Sequence, residues 1–316
     1  MPPPSDQAPP TATTSGSRGS GRIADALLAA AAVVVIVLTV VRANVFWQNE
    51  AFLDDASGNW TALAKDLTEG VFYRPLQSAA GYGGSRYFPL HFVLHAGLMK
   101  LVGDPMRSGL AVSALSMALL VSGVHVLLRR LGSTRIVAAS CAAFVLAATP
   151  AQEALLAIKG DGLAAALNVW GVALCAGGAL GSVGLPAAAI LFTLAFASKM
   201  VMVSGLGATV LWLWASGRRA SALRLLAATA FGMAVVLVLV QLASRGVALE
   251  VLGASMSGGA SARDILMAPF TLARQARRVP ETLVFIQLGF AALVVLLFRP
   301  KPLGNIAALL DRKSVV

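Results

Sequence analysis

The chain has 316 residues, of which 58% are hydrophobic and only 12% charged, about half the charged share of a soluble domain. That balance excludes a soluble globular domain. The formal charge of +11 does not call for nucleic acid, because basic loops gather at the cytoplasmic face of membrane proteins. The two cysteines, Cys141 and Cys175, fall inside apolar runs and read as small hydrophobes, without disulfide or zinc spacing.

Residues 1–22 are rich in Pro, Ser, Thr and Gly and predict a disordered cytoplasmic tail. The apolar run that follows is long for a signal peptide and lacks a cleavage site, so a retained anchor helix is expected over about 23–41. The topology turns on 88–102, an apolar stretch of about 15 residues interrupted by His91, His95 and Lys100. If it crosses the membrane, every later loop changes side. If it lies on the outer surface, the later spans fall at about 107–128, 134–150, 161–180, 185–198, 200–217, 225–243 and 282–298. The second scheme puts Arg129, Arg130, Arg135, Arg218, Arg219 and Arg224 on the side of Arg18 and Arg22, as positive-inside loops require. It leaves most acidic residues outside. The expected fold is therefore all-α: a polytopic transmembrane helical bundle of about eight spans over 23–298, in the cell membrane, with a cytoplasmic tail at 299–316. Two long extracytoplasmic segments result, 42–106 and 244–281, although the second carries several arginines that the rule would place inside.

Within the first outer segment, apolar residues at Trp60, Leu63, Ala64 and Leu67 have helical spacing, which predicts a short helix on the membrane surface ended by Gly70. Asp54 and Asp55 precede it. They can cap that helix, and they can equally hold a divalent cation or supply a general base. Asp161 stands at the mouth of a later span, where it can start the helix or join the aspartates on the same face. Lys199 interrupts an apolar stretch long enough for two spans; it is either a loop charge or a partner for an anion such as phosphate. Arg74, Arg86 and Lys159 share that face. Together these cations would suit a lipid phosphate or pyrophosphate. The segment through Tyr87 and Pro89 reads as a tight connection entering a helix, with Pro89 in its first turn. His91 and His95 are spaced i, i+4, which can seat a metal, or they are ordinary interfacial histidines.

In this order the pieces resemble the GT-C superfamily of polytopic glycosyltransferases, in the branch of protein O-mannosyltransferases and lipid A aminoarabinose transferases. The matching residues are Asp54-Asp55, Trp60 with Ala62 and Ala64, Gly70, Tyr87-Phe88-Pro89-Leu90, Gly103, Arg129-Arg130, Asp161 with Leu163, and Ser198-Lys199. The similarity covers about 23–217. The family's acidic pair is usually Asp-Glu, with an aromatic residue nearer than Trp60, and many members are longer.

The resemblance implies transfer of a sugar from a polyprenyl-phosphate donor to an acceptor on the extracytoplasmic face, by direct inverting displacement. Asp55 or Asp54 would deprotonate the acceptor, with Asp161 as a further catalytic carboxylate. Lys199, Arg86, Arg74 and Lys159 would hold the donor phosphate, and Tyr87 would line the substrate pocket. A divalent metal ion would take Asp55 and Asp161 as ligands. The partners expected are the lipid-linked donor, membrane lipid and an unidentified acceptor, with no nucleic acid. The alternative is a transporter or flippase for a lipid-linked or small anionic solute, its cations lining a path across the membrane. A structural membrane protein without catalysis is a third reading.

Overall fold

The computed structural model describes residues 17–49, 53–79, 81–82, 85, 87–176 and 183–257, with a few single residues between 261 and 274. The predicted tail through residue 16, Arg86 and the predicted span at 282–298 lie outside the described residues. Those described are almost entirely helical. α1 is Ser17–Asn49, α2 Asp55–Thr68, α3 Pro89–Val102, α4 Pro105–Arg130, α5 Arg135–Phe144 and α6 Thr149–Leu156, with a 3-10 turn at Val145–Ala147. α7 is Asp161–Cys175, α8 Gly184–Ser198, α9 Ser204–Ala215, α10 Arg219–Ala243 and α11 Val247–Ser257. A two-residue antiparallel ladder, β1 (Gln77–Ser78) with β2 (Gly81–Tyr82), is the one sheet among them.

Among the described residues, three helices are long and apolar enough to cross a membrane: Arg22–Asn49 within α1, α4 and α10. Their surroundings differ. The apolar window of α4 is 39% buried within the protein, against 11% for α1 and 17% for α10. α4 is thus the central helix, packed on α3, α5 and α7, while α7 also packs on α8 and α8 on α10. α1 and α10 present Val, Leu and Ile side chains outward along their length.

The expectation of about eight spans divides at this point. The predicted span 134–150 is broken: Arg135–Ala147 and Thr149–Leu156 meet at a 70° bend, and only as a bent pair do they make a fourth candidate. The cause is local. Pro150 lies in the first turn of α6, where it has no N–H to continue the preceding helix. Helices α7, α8 and α9 have 15, 15 and 12 residues, so each is at most about 23 Å long at 1.5 Å per residue, short of a core of about 30 Å. The anchor helix runs on to Asn49, well past the predicted end near 41, and the predicted outer loop from 244 opens with the helix α11.

Local rules account for the firm boundaries. Asp54 caps α2, its carboxylate accepting the Ser57 N–H at 2.9 Å and the Ser57 hydroxyl at 2.9 Å. α3 starts with Pro89 in its first turn and ends at Gly103, whose φ of +80° is a left-handed conformation that glycine takes without strain. Asp104 then caps α4 by accepting the Met106 and Arg107 N–H groups.

The helix breaks leave buried backbone groups that require partners. Between α6 and α7, residues 157–160 are held by serines from three helices. Ser113 of α4 donates to the Ala157 carbonyl at 2.7 Å, Ser57 of α2 accepts the Ile158 N–H at 3.2 Å, and Ser198 of α8 donates to the Gly160 carbonyl at 3.0 Å. At the α5–α6 break Gln152 donates to the Leu146 carbonyl, and at the α8–α9 break Asn168 donates to the Met202 carbonyl at 3.0 Å. Gly160 has a further reason: a Cβ there would lie 3.0 Å from the Trp60 ring and 3.2 Å from the Ser198 carbonyl. A side chain at position 160 would press on both, and each would have to give by a few tenths of an ångström.

Candidate functional site

The helix breaks meet around a cavity of about 800 Å³. Its apolar lining comes from Met117 and Leu120 of α4, from Val145 and Ala148 at the α5–α6 bend, and from Met200 and Met202 after α8. Its polar lining is Glu153, Lys159, Asp161, Ser198 and Lys199, with Trp60 and Tyr87 beside them.

Two ion pairs sit at this polar end. Lys199 donates to Asp161, and Lys159 Nζ lies 2.7 Å from Asp54 Oδ2. Helix ends put the charges there. Asp161 is in the first turn of α7 and Lys199 follows the last residue of α8, so each charge faces the helix pole of opposite sign. All four side chains remain between about a quarter and a half exposed. The pairs therefore contribute little to stability, on the order of 1 kcal/mol or less each, and can be exchanged for another charged partner. Burial works to raise the pKa of Asp54, but the Lys159 ammonium and the Ser57 hydrogen bonds outweigh it and hold the carboxyl below its usual value.

Behind the polar end lies a ring column. Tyr87 stacks on Trp60 with centroids 4.4 Å apart, and His91 meets Trp60 edge-on at 4.8 Å. Trp60 is buried, while Tyr87 is partly open. Tyr73 supports Tyr87 by donating its hydroxyl to the Tyr87 carbonyl at 2.8 Å.

The residues singled out in the sequence are thus divided. Lys159, Asp161, Lys199 and Tyr87 line one cavity. Asp54 reaches it through Lys159 and does not line it. Asp55 is exposed in the first turn of α2 and does not line it either. Arg74 is occupied elsewhere, in a two-pronged pair with Asp66 at 2.6 Å for both bonds. The expected metal pair of Asp55 and Asp161 is not brought together at the cavity; Asp161 takes Lys199 as its partner. Among the described residues no group of three or more His, Cys, Asp or Glu side chains is placed to hold a metal ion. His91 and His95 are fully buried in the α2–α3 core, where burial pushes the His91 imidazole down to about 3 and also lowers His95.

Glu153, absent from the residues singled out in the sequence, lines the cavity from α6. Its only signal was an acidic residue one turn after Pro150 in the same outer segment as Asp161. The serines that hold 157–160 had a weaker one: single hydroxyls within apolar runs.

What the fold and site define, among the described residues, is an almost entirely helical protein with three helices able to cross a membrane and a cavity lined by both apolar and charged side chains. No known family profile, curated protein or solved structure matches the chain.

Proposed function

We propose that this chain is a multi-pass membrane glycosyltransferase that moves a sugar from a polyprenyl-phosphate donor to an acceptor on the extracytoplasmic face. The observation that carries the reading is the cavity of about 800 Å³, whose lining joins Lys159 and Lys199 to apolar side chains from several helices. A polyprenyl phosphate is a long apolar tail ending in an anion, and this lining complements both parts. The lysines would release their aspartates to the phosphate and stabilise its growing charge as the sugar leaves. A cavity carboxylate would accept the proton of the attacking hydroxyl. The exposed face of Tyr87, backed by Trp60, offers the sugar ring an apolar surface.

The ends of α7 and α4 support this orientation. Asp161 starts this helix at the cavity, whereas Arg130 donates to the Ala173 and Leu174 carbonyls near its other end. With Arg129 and Arg130 inside at the end of α4, a helix long enough to cross the membrane, the positive-inside rule favours a cavity mouth on the outside. In intact cells, with Cys141 and Cys175 replaced by Ala, a cysteine at Ser78 should react with an impermeant thiol reagent and one at Ser133 should not. Labelling of Ser133 would reverse the orientation.

One observation favours a flippase instead. The 70° break at α5–α6 and residues 199–202 of the α8–α9 connection line the cavity, and discontinuous helices of this kind build transporter sites. The deciding assay uses the purified full chain in nanodiscs and proteoliposomes, with donor labelled in the sugar and a cell-envelope extract as acceptor. Sugar transfer with release of polyprenyl phosphate is expected. Movement of intact donor across the bilayer without release would replace the transferase by the flippase.

A further inference from the structure

The cavity mouth holds two kinds of carboxylate. Asp161 is bonded to Lys199, and Asp54, just behind the lining, is bonded to Lys159 while capping α2. Glu153 lines the same cavity and makes no ion pair among the described residues. Chemistry separates the two kinds. A carboxylate paired with an ammonium must surrender that partner before it can take a proton, whereas an unpaired one accepts it directly.

The frame around Glu153 is set from behind. α6 is turned by the break before Pro150 and tied to α1: the Trp47 indole N–H donates to the Leu155 carbonyl at 3.3 Å, and Gln152 is buried against Thr39. With Gln152 and Leu155 engaged there, Ala151, Glu153 and Ala154 are left to line the cavity. Glu153 is exposed there, with small neighbours that leave room for an acceptor hydroxyl.

Resting on the transferase reading, we infer that Glu153 takes the acceptor's proton, while Asp54 and Asp161 are positioning residues that hold the phosphate-binding lysines. In the step, the acceptor oxygen forms a bond to the anomeric carbon and the bond from that carbon to the phosphate oxygen breaks. Its electron pair leaves on the phosphate, which faces Lys159 and Lys199, and the acceptor proton passes to a Glu153 carboxylate oxygen and then to water.

The test uses the full chain in nanodiscs, with a polyprenyl-phosphate-linked hexose labelled in the sugar as probe and a cell-envelope extract as acceptor. Glu153→Gln should lower kcat for transfer by about 10²–10⁴ and leave the donor Kd unchanged. Glu153→Asp should recover part of the rate, and Asp55→Asn should transfer at the wild-type rate. Asp161→Asn should act mainly on donor Kd and KM. Wild-type transfer that persists in Glu153→Gln, or a Glu153→Gln loss that appears in donor Kd alone, overturns the assignment and leaves the transferase reading standing. Wild-type protein that binds the donor and releases no sugar contradicts the transferase reading and this inference with it.

Discussion

The α2–α3 core and the cavity mouth lie side by side and share Trp60, yet they treat polar groups in opposite ways. In the core, His91 is fully buried and neither of its ring nitrogens finds a partner among the described residues; His95 keeps one contact, Nε2 to the Pro105 carbonyl at 2.8 Å. At the mouth, four charged side chains remain partly exposed and bond one another in two pairs. The core can hold unpartnered nitrogens only because its packing is tight enough to offset them. The mouth stores almost no stability in its ion pairs, so an anion can take an aspartate's place at low cost. A fixed platform therefore stands next to exchangeable charge, the combination a site for a lipid phosphate and its sugar needs.

The comparison breaks first at the core. Phe92 is fully buried among Phe72, Tyr73 and the α2–α3 residues. Phe92→Ala should cost about 3–5 kcal/mol, measured by thermal unfolding in nanodiscs, and a loss below 1 kcal/mol would show that the core is not the rigid part.

The next effect is acid sensitivity. The His91 pKa is about 3 in the fold and about 6.5 unfolded, so the folded state holds the neutral ring. Stability is full above pH 6.5 and falls below it, as the unfolded chain takes up the proton, until the folded pKa near 3 is reached. At about 1.4 kcal/mol per pH unit this amounts to roughly 3 kcal/mol by pH 4. His91→Leu should flatten the decline in Tm between pH 6.5 and 4.5, above most carboxylate titrations. An unchanged slope would place the acid sensitivity elsewhere.

The mouth should show the reverse pattern. Lys199→Ala should change stability by no more than about 1 kcal/mol yet weaken polyprenyl-phosphate binding by about 1.5–3 kcal/mol, roughly 10- to 150-fold. Equal losses in both would make Lys199 a structural residue. Smallest is the contrast within the acidic pair. Asp54→Ala should cost about 1 kcal/mol through the lost cap, and Asp55→Asn less than about 0.5 kcal/mol; equal effects in thermal melts would remove the distinction between them.

Much of the platform was legible in the sequence. Helical spacing through Trp60 and Leu67, Pro89 after an extended residue and Gly103 after an apolar run each obey a local rule, and α2 and α3 have those bounds. The convergence of 151–161 with Lys199 was also readable, because both fall at the edges of apolar runs. The breaks were less so. Residues 134–150 read as one span because hydropathy sums over a window, while the bend depends on Pro150 and on Gln152 reaching the Leu146 carbonyl. That 157–160 is held by Ser57, Ser113 and Ser198 depends on three distant hydroxyls converging, which no local pattern encodes. Within the acidic pair the sequence favoured Asp55 for its shorter gap to Trp60, and no local pattern singled out Glu153 on the turned helix.

The most direct test of the central claim, that the cavity receives the phosphate end of a polyprenyl lipid at Lys199, is photo-crosslinking in nanodiscs. The probe is a polyprenyl phosphate carrying a photoreactive group near its phosphate. The expected result is labelling confined to peptides containing 145–165 and 198–203, competed by unlabelled polyprenyl phosphate and lost in Lys199→Ala. Labelling spread over the outward faces of α1 and α10, unaffected by competitor or by Lys199→Ala, would contradict the account.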